Sequence, residues 1–408
     1  MRDRELYATI LGLSEPWEVE RVELDTKEQA VHVWLQRQEG AEAQCPECRQ
    51  KAAIYDHRER EWRHPDTCQF QTRLHARVPR VSCAEHGIAQ IRVPWAEPGS
   101  RFTMLFERLV IDWAQDAAVA AVSRRVKLGC EAIWGIMQRA VRRGLQRREL
   151  GKLTWVGVDE KSFLRRHNYV TIVTDLEETR VMFVADDRKQ ESLEAFWAVG
   201  LGVSQREGIE AIAMDMWEPY VQATLARIPG AQEKIVFDKF HIAKHLNEAV
   251  DRVRRAEHRE VLARKDERLV GTKYTWLRNP ESFADEAWKA FGPLRRSNLK
   301  VARAWALKET IMSLWDYSYL GAARNHFRRW YSWAIRSRLE PIKQKARMLH
   351  TRLENVLSYL RHGITNAASE GLNSKIQWIR YTARGFRNRQ NFKTAIYFHC
   401  GGLDLYPH

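Results

Sequence analysis

Residues 152–163 read KLTWVGVDEKSF. Trp155, Val156 and Val158 form a short apolar run rich in β-favouring side chains, and the run ends on Asp159 and Glu160. Such a pattern presents a carboxylate where a buried strand reaches the surface. Asp159 is therefore the expected first ligand of a catalytic metal site. From here the periodicity alternates, predicting strands over 155–159, 169–175 and 180–185 joined by polar turns, an antiparallel meander. A helix over 192–199, a strand over 209–215, a helix over 219–228 and a strand over 234–238 follow.

Three antiparallel strands, then helix, strand, helix, strand, is the element order of a ribonuclease H-like α/β fold. Two-metal phosphodiester chemistry needs carboxylates that clamp two ions about 4 Å apart, so partners for Asp159 are sought at neighbouring strand ends. Asp215 closes the fourth strand in AIAMDMW, climbing to an acid from an apolar run as Asp159 does. A third acid is expected on a helix packed against the same sheet edge. In TNAASEGLNSK, Asn366, Glu370, Asn373 and Ser374 share one polar helical face, with Thr365 or Asn366 as the cap. Asp238 ends the fifth strand and competes with Asp215 as second ligand, and His241 stands three residues on. Taken singly, each acid also suits a bland role: a strand-end turn for Asp159, an N-cap for Asp215 or Asp238, a solvated helix face for Glu370. No phosphate-cradling glycine loop is present, so a nucleotide-fuelled mechanism has no support.

Upstream, a helix near residues 5–13 precedes a β-hairpin, with Trp17, Val19 and Val22 on one strand and Val31, Val33 and Leu35 on the other. The hairpin delivers the chain to Cys45-Pro-Glu-Cys48 and, after residues 49–82, to Cys83-Ala-Glu-His86. Three thiolates and an imidazole in two knuckles are the donor set of a structural Zn²⁺ site. Cys68 and His64 are rival ligands, and the intervening Tyr55, Trp62, Phe70, Leu74 and Val78 suggest small strands that rely on the metal. Residues 102–148 are helical. Phe106, Leu109, Val110 and Trp113 form the stripe of a first helix, 116–126 a second, and 131–147 a third that follows the turn Lys127-Leu-Gly129. The third helix pairs an apolar face with Arg139, Arg142, Arg143, Arg147 and Arg148 outside, the outline of a helix-turn-helix; a generic helical linker is the alternative.

A surplus of 67 Lys and Arg over 52 Asp and Glu gives a formal charge of +15. Clustered cations of this kind favour nucleic acid, because neutralised phosphates release counterions. No apolar run reaches the roughly 20 residues of a membrane span, and the charged start MRDREL is unlike a signal peptide. A cytoplasmic protein without membrane partners is expected. Residues 241–360 show no strand pattern and carry Trp276, Trp288, Trp305, Trp315, Trp330 and Trp333, so they read as a large helical insertion before the helix bearing Glu370.

Together these segments resemble bacterial insertion-sequence transposases of the DDE class, most closely the family known as ISL-three. The matching pieces are CPEC at 45–48, WVGVDEKS at 155–162, AMDMWEPY at 213–220, VFDKFHIAKHLNEAVDRVRR at 236–255 and TNAASEGLNSKI at 365–376. The second knuckle departs from the family pattern, CxxH where a second CxxC is usual. The resemblance implies an α/β multidomain chain: a β-hairpin and zinc-finger domain (1–98), a helix-turn-helix (99–150), a ribonuclease H-like core in two parts (151–240 and 361–408) and the helical insertion between them (241–360). It implies a triad of Asp159, Asp215 and Glu370 holding two Mg²⁺ or Mn²⁺ ions, with Asp238 and His241 matching the family's D-x-x-H signature. Cys45, Cys48, Cys83 and His86 would hold Zn²⁺. Double-stranded DNA would be the substrate: terminal inverted repeats are bound, water frees a 3′-hydroxyl, and that hydroxyl attacks target DNA. Arg139, Arg142, Arg143, Arg380, Arg384, Arg387 and Lys393 would contact phosphates, and a homodimer would pair the ends, with the protein on the nucleoid when DNA-bound. The competing expectation is a catalytically inactive DNA-binding regulator on the same fold.

Overall fold

The computed structural model describes residues 3–164, 168–364 and 367–408, with the side chains of Leu164, Asn168 and 367–370 left out. Two compact units make up the chain: Met1–Glu149 with Tyr381–Arg384 and Gln390–His408, and Leu150–Arg380 with Gly385–Arg389.

The first unit opens with α1 (Asp3–Ile10) and then β1 (Trp17–Asp25), β2 (Ala30–Arg37), β3 (Ala53–Thr67), β4 (Phe70–Cys83) and β5 (Gly87–Gln90). These form one sheet in the order β1-β2-β4-β3, with β5 on β4, and the β2–β4 pairing is parallel. Alternation decides which face is buried: Val31, Val33 and Leu35 point inward beside Thr72, Leu74 and Ala76. Trp17 and Trp62 each meet Trp95 edge-on, at 4.9 and 5.4 Å between ring centroids. The expectation of small strands held by metal is corrected here. β3 and β4 are 15 and 14 residues long and share an apolar core with the N-terminal hairpin. Then come α2 (Met104–Asp116), α3 (Val119–Val126) and α4 (Cys130–Arg147). Thr103 caps α2 by accepting from Phe106 N–H, and α3 begins later than expected because Ala117 and Ala118 are extended.

The second unit holds β6 (Trp155–Leu164), β7 (Asn168–Asp175) and β8 (Arg180–Val184) as an antiparallel meander. α5 (Gln190–Ala195) runs through a π turn, Phe196–Gly200, to α6 (Val203–Gly208). β9 (Ala211–Met214), α7 (Glu218–Arg227), α8 (Ala231–Lys234) and β10 (Ile235–Phe237) follow. β9 lies parallel to β6 and β10 parallel to β9, so the sheet order is β10-β9-β6-β7-β8. β6 runs five residues beyond the predicted strand end, paired with β7 out to Leu164↔Asn168, so Asp159 is a mid-strand residue.

α9 (Lys239–Leu262) leaves β10 directly. It is followed by α10 (Lys273–Leu277), α11 (Asp285–Arg295), α12 (Lys300–Met312), α13 (Leu320–Arg336), α14 (Glu340–Thr351), α15 (Leu353–Leu357), α16 (Tyr359–His362) and α17 (Ala367–Thr382). Among the described residues of 239–364 there is no strand. A single apolar cluster runs from Val156, Val158 and Met214 in the sheet, through Ile242 and Leu246 of α9, to Trp276, Trp330 and Leu349. Thr365 and Asn366, the expected caps of α17, lie outside the described residues.

The last helix, α18 (Arg389–Cys400), joins the first unit from Gln390, and the tail after it lies along α4. Leu405 carbonyl accepts from the Arg143 guanidinium at 2.9 Å, and Tyr406 hydroxyl donates to Asp112 at 2.6 Å. Gly144 makes this approach possible, since a Cβ there would stand 2.7 Å from Leu403 Cβ and 2.9 Å from Asp404 carbonyl oxygen. Among the described residues, no helix is long and apolar enough to cross a membrane.

Candidate active site

The register of the three parallel strands decides where the acids fall. Val158 on β6 pairs with Met214 on β9, and Met214 pairs with Phe237 on β10. One residue further along each strand stand Asp159, Asp215 and Asp238. Three carboxylates therefore line up side by side, Asp159 within β6 and Asp215 and Asp238 just past the ends of β9 and β10. Like charges so arranged need positive neighbours. Lys161 Nζ lies 3.0 Å from Asp159 Oδ2, and the Asn373 side-chain amide on α17 donates to the same oxygen at 2.8 Å. Backbone N–H groups close the other oxygens, Glu160 to Asp159 Oδ1 at 2.7 Å and Met216 to Asp215 Oδ1 at 2.7 Å.

Two histidines on one face of α9 stand against the acids. His241 Nδ1 stands 3.5 Å from Asp238 Oδ2, and His245 Nε2 stands 3.7 Å from Asp215 Oδ1. Burial pushes Asp215 toward the neutral acid, but its contact with His245 and the field of His241 outweigh burial and hold the carboxyl below its ordinary range. For His241 burial likewise opposes charge, and Asp238, then Asp215 and Asp159, carry the imidazole above its ordinary value. Asp238 also caps α9 by accepting from Phe240 N–H at 2.9 Å, which anchors the histidines' helix at the row of acids.

Beside this row, the Arg188 guanidinium lies between the rings of Tyr169 and Trp217, at 4.7 and 4.6 Å, and 3.3 Å from Glu160 Oε2. Glu370 is on α17 one turn before Asn373, so the Asn373–Asp159 bond brings its helix to the acids; its own side chain is not described. Arg380, near the end of α17, donates to Ser162 carbonyl at 3.0 Å and so ties the helix to β6.

In the first unit the knuckles converge. Cys83 Sγ is 3.7 Å from Cys48 Sγ and 3.6 Å from His86 Nδ1, and Cys45 Sγ is 3.9 Å from His86 Nδ1. Ligands about 2.3 Å from a tetrahedral ion are about 3.8 Å apart, so the four donors match a Zn²⁺ coordination shell. Backbone N–H groups of His86 and Glu85 hold the Cys83 thiol below its usual range, toward the thiolate that a metal needs. Neither rival ligand joins them. Cys68 is exposed in the β3–β4 turn, and His64 is buried with its Nδ1 3.1 Å from Thr103 Oγ1.

α3 and α4 are joined through Lys127, in the left-handed region at φ 55°, and Arg124, Arg125, Lys127 and Arg142 are exposed around them. Of the arginines predicted to face outward, Arg143 is buried and Arg139 is half-buried. Arg139 donates to the buried Glu107 at 2.6 Å, and Arg143 pairs with Glu97 and lies 3.5 Å from Glu107.

A transposase family model matches residues 156–396, spanning the acid row, the insertion and both last helices. The chain belongs to transposase family ISL3. The zinc finger of transposases IS204, IS1001, IS1096 and IS1165 matches residues 41–86, and the helix-turn-helix domain of ISL3 transposases matches 91–141. Two curated relatives, the transposases for insertion sequence element IS1557 from two strains of Mycobacterium tuberculosis, are 25% identical over 96% of this chain and 94% of theirs. The transposase for insertion sequence element IS1001 of Bordetella parapertussis is 26% identical over 80% of this chain and 81% of its own. The chain is thus an insertion-sequence transposase with a zinc ribbon and a DNA-binding helix-turn-helix.

Within this transposase the structure gathers Asp159, Asp215, Asp238 and His241, with Asp159 inside its strand rather than at the end expected from sequence. It leaves Arg384 and Arg387 exposed and Lys393 half-buried on α18. His245, Lys161 and Arg188 were not singled out from sequence. His245 had a readable signal, falling one helical turn after His241 in HIAKH. Lys161 had one too, standing two residues after Asp159 and so on the same face of β6; Arg188 had none, since its partners Glu160, Tyr169 and Trp217 are distant in sequence.

Proposed function

We propose that this ISL3 transposase cleaves and rejoins DNA at a two-metal site of Asp159, Asp215 and Glu370 on a ribonuclease H-like core. The observation that carries the reading is the alignment of Asp159, Asp215 and Asp238 at one register step beyond Val158, Met214 and Phe237, with α17 tied to Asp159 through Asn373. The strand order, with the meander on one side and two parallel strands on the other, supports the ribonuclease H-like assignment.

An all-oxygen donor set of carboxylates on rigid strands fits Mg²⁺ or Mn²⁺ rather than a softer metal. Two such ions, when bound, lower the pKa of the attacking water or 3′-hydroxyl and stabilise the departing oxygen. The protein's own part is to fix the carboxylates and to orient the phosphodiester. His241, whose pKa the acids around it raise, offers an N–H to a non-bridging phosphate oxygen. Terminal inverted repeats of the element are bound by the zinc ribbon and helix-turn-helix, with Arg142, Arg384, Arg387 and Lys393 on phosphates. Pairing of two ends makes the working assembly a homodimer, acting on the nucleoid in the bacterial cytoplasm. The non-catalytic regulator is disfavoured, because such a protein has no use for an aligned row of acids.

The test is Mg²⁺-dependent cleavage and strand transfer on DNA carrying the element's ends. Asp159→Asn, Asp215→Asn and Glu370→Gln are each expected to abolish both steps while end binding persists. Full activity in any one of them removes that residue from the triad, and full activity in all three would return the regulator.

A further inference from the structure

His245 links Asp215 of the acid row to a helix deeper in the insertion. His245 sits one turn beyond His241 on the same face of α9, and its two ring nitrogens have different neighbours. Nε2 faces Asp215 Oδ1 at 3.7 Å, while Nδ1 is 3.0 Å from Lys345 Nζ on α14. An ammonium has three protons to give and no lone pair to accept with. Nδ1 must therefore accept from Lys345, which leaves the ring proton on Nε2, aimed at the second acid.

Lys345 is itself held. Glu248 Oε2, on α9, lies 3.7 Å from its Nζ and 3.8 Å from His245 Nδ1. Burial, with the charge of Arg252 one turn further along α9, lowers the pKa of Lys345, and Glu248 opposes the shift. On α14, Ile342 and Ala346 flank Lys345 and are fully buried in the cluster that also holds Ile242 and Leu246. The lysine's backbone thus has a fixed seat on α9. Its head meets Glu248 and, further off, feels the charges of Arg252 and Asp215.

We propose that His245 and Lys345 are positioning residues for the second acid: Lys345 of the insertion sets the tautomer of His245, and His245 orients Asp215 to receive its metal ion. The inference rests on the reading of Asp215 as a metal ligand and extends it, giving the insertion a direct role in assembling the site. It differs from the D-x-x-H pair, in which His241 answers Asp238. Partners that orient a metal ligand are worth about 10- to 100-fold in metal affinity when removed.

The two His245 variants separate the ring nitrogens, since a Gln side-chain amide reaches the Nε2 position and an Asn side-chain amide only the Nδ1 position. Mn²⁺ binding to the full-length protein without DNA, followed by electron paramagnetic resonance, gives a readout independent of turnover; the Mg²⁺ dependence of end cleavage gives a second. His245→Asn and Lys345→Met are expected to weaken Mn²⁺ binding about 10- to 100-fold and to raise the Mg²⁺ concentration for half-maximal rate, with the saturated rate much less changed. His245→Gln and Lys345→Arg, each keeping a donor in place, are expected near wild type. Wild-type Mn²⁺ affinity in both His245→Asn and Lys345→Met would overturn the proposal. So would equal losses in His245→Asn and His245→Gln, which would signal packing rather than a directed N–H. Asp215→Asn serves as the separate control: if it binds Mn²⁺ as wild type does, the reading of Asp215 as ligand fails, whatever the histidine does.

Discussion

Adjacent arginines on α4 have opposite fates. Arg142 is exposed, whereas Arg143 is 7% exposed and commits its donors to Glu97 and the Leu405 carbonyl. A solvent-facing arginine on a recognition helix can neutralise one phosphate, so Arg142→Ala is expected to flatten the slope of log affinity against log salt by about 0.9. Fluorescence anisotropy with end DNA across a salt series measures it. Arg143→Ala would instead leave Glu97 and Glu107 short of a buried partner, a loss of about 3–5 kcal/mol, seen as a lower urea midpoint. A second single-residue effect concerns His64. Burial, reinforced by Arg63, takes its pKa down to about 4, so the folded state keeps it neutral at pH 7 beside the Thr103 hydroxyl, 3.1 Å from its Nδ1. In the unfolded chain the same imidazole titrates near 6.5. Between those values the unfolded state binds the extra proton, so this contribution is fully present above about pH 6.5 and is lost as pH falls toward 4. The loss is about 3 kcal/mol at most. Urea unfolding at pH 7 and pH 5 should show a larger drop for wild type than for His64→Gln.

Among the elements, the zinc ribbon and the sheet it belongs to make separable contributions. Cys45, Cys48, Cys83 and His86 converge at one end of the first sheet, while Trp17, Trp62, Leu74 and Trp95 build an apolar core beneath it. Cys45→Ser is expected to lose about one zinc ion per chain, measured by elemental analysis, because three ligands hold the ion far less tightly than four. Far-UV circular dichroism should keep most of its strand signal, since the sheet is closed by apolar packing as well as by metal. Collapse of the strand signal on zinc loss would show instead that the metal holds the sheet. Sequence reading saw the ligands because their spacing is local. It missed the length of β3 and β4, whose alternation is broken by the charged residues of 56–61 and becomes coherent only once β4 pairs with β2 in parallel.

At the scale of the molecule, what was legible from sequence was whatever each segment states by itself. The runs leading into Asp159, Asp215 and Asp238 announce strands bearing acids, though β6 continues past Asp159, and the change from period two to helical spacing after residue 240 announces the insertion. Register, the arrival of Asn373 at Asp159, and the Lys345 contact to His245 depend on chain closure over long separations. The buried Arg143 looked solvated for the same reason, since Glu97, Glu107 and the returning tail, all distant in sequence, surround it. The insertion illustrates the consequence for stability. Trp330 of α13 is 1% exposed, donates to the Leu307 carbonyl at 2.8 Å and packs against Phe327 at 5.4 Å, inside the cluster that also contains Val158 and Met214. Because that cluster is continuous, the insertion and the sheet should unfold as one cooperative unit. Trp330→Ala removes a large buried ring and leaves the Leu307 carbonyl without that donor, a cost of about 3–5 kcal/mol. The urea midpoint is expected to fall, with tryptophan fluorescence and Mn²⁺ binding lost at the same urea concentration. If fluorescence changed first while the acids still bound Mn²⁺, the insertion would be an independent folding unit, and a contact such as Lys345–His245 would then join two separately stable parts.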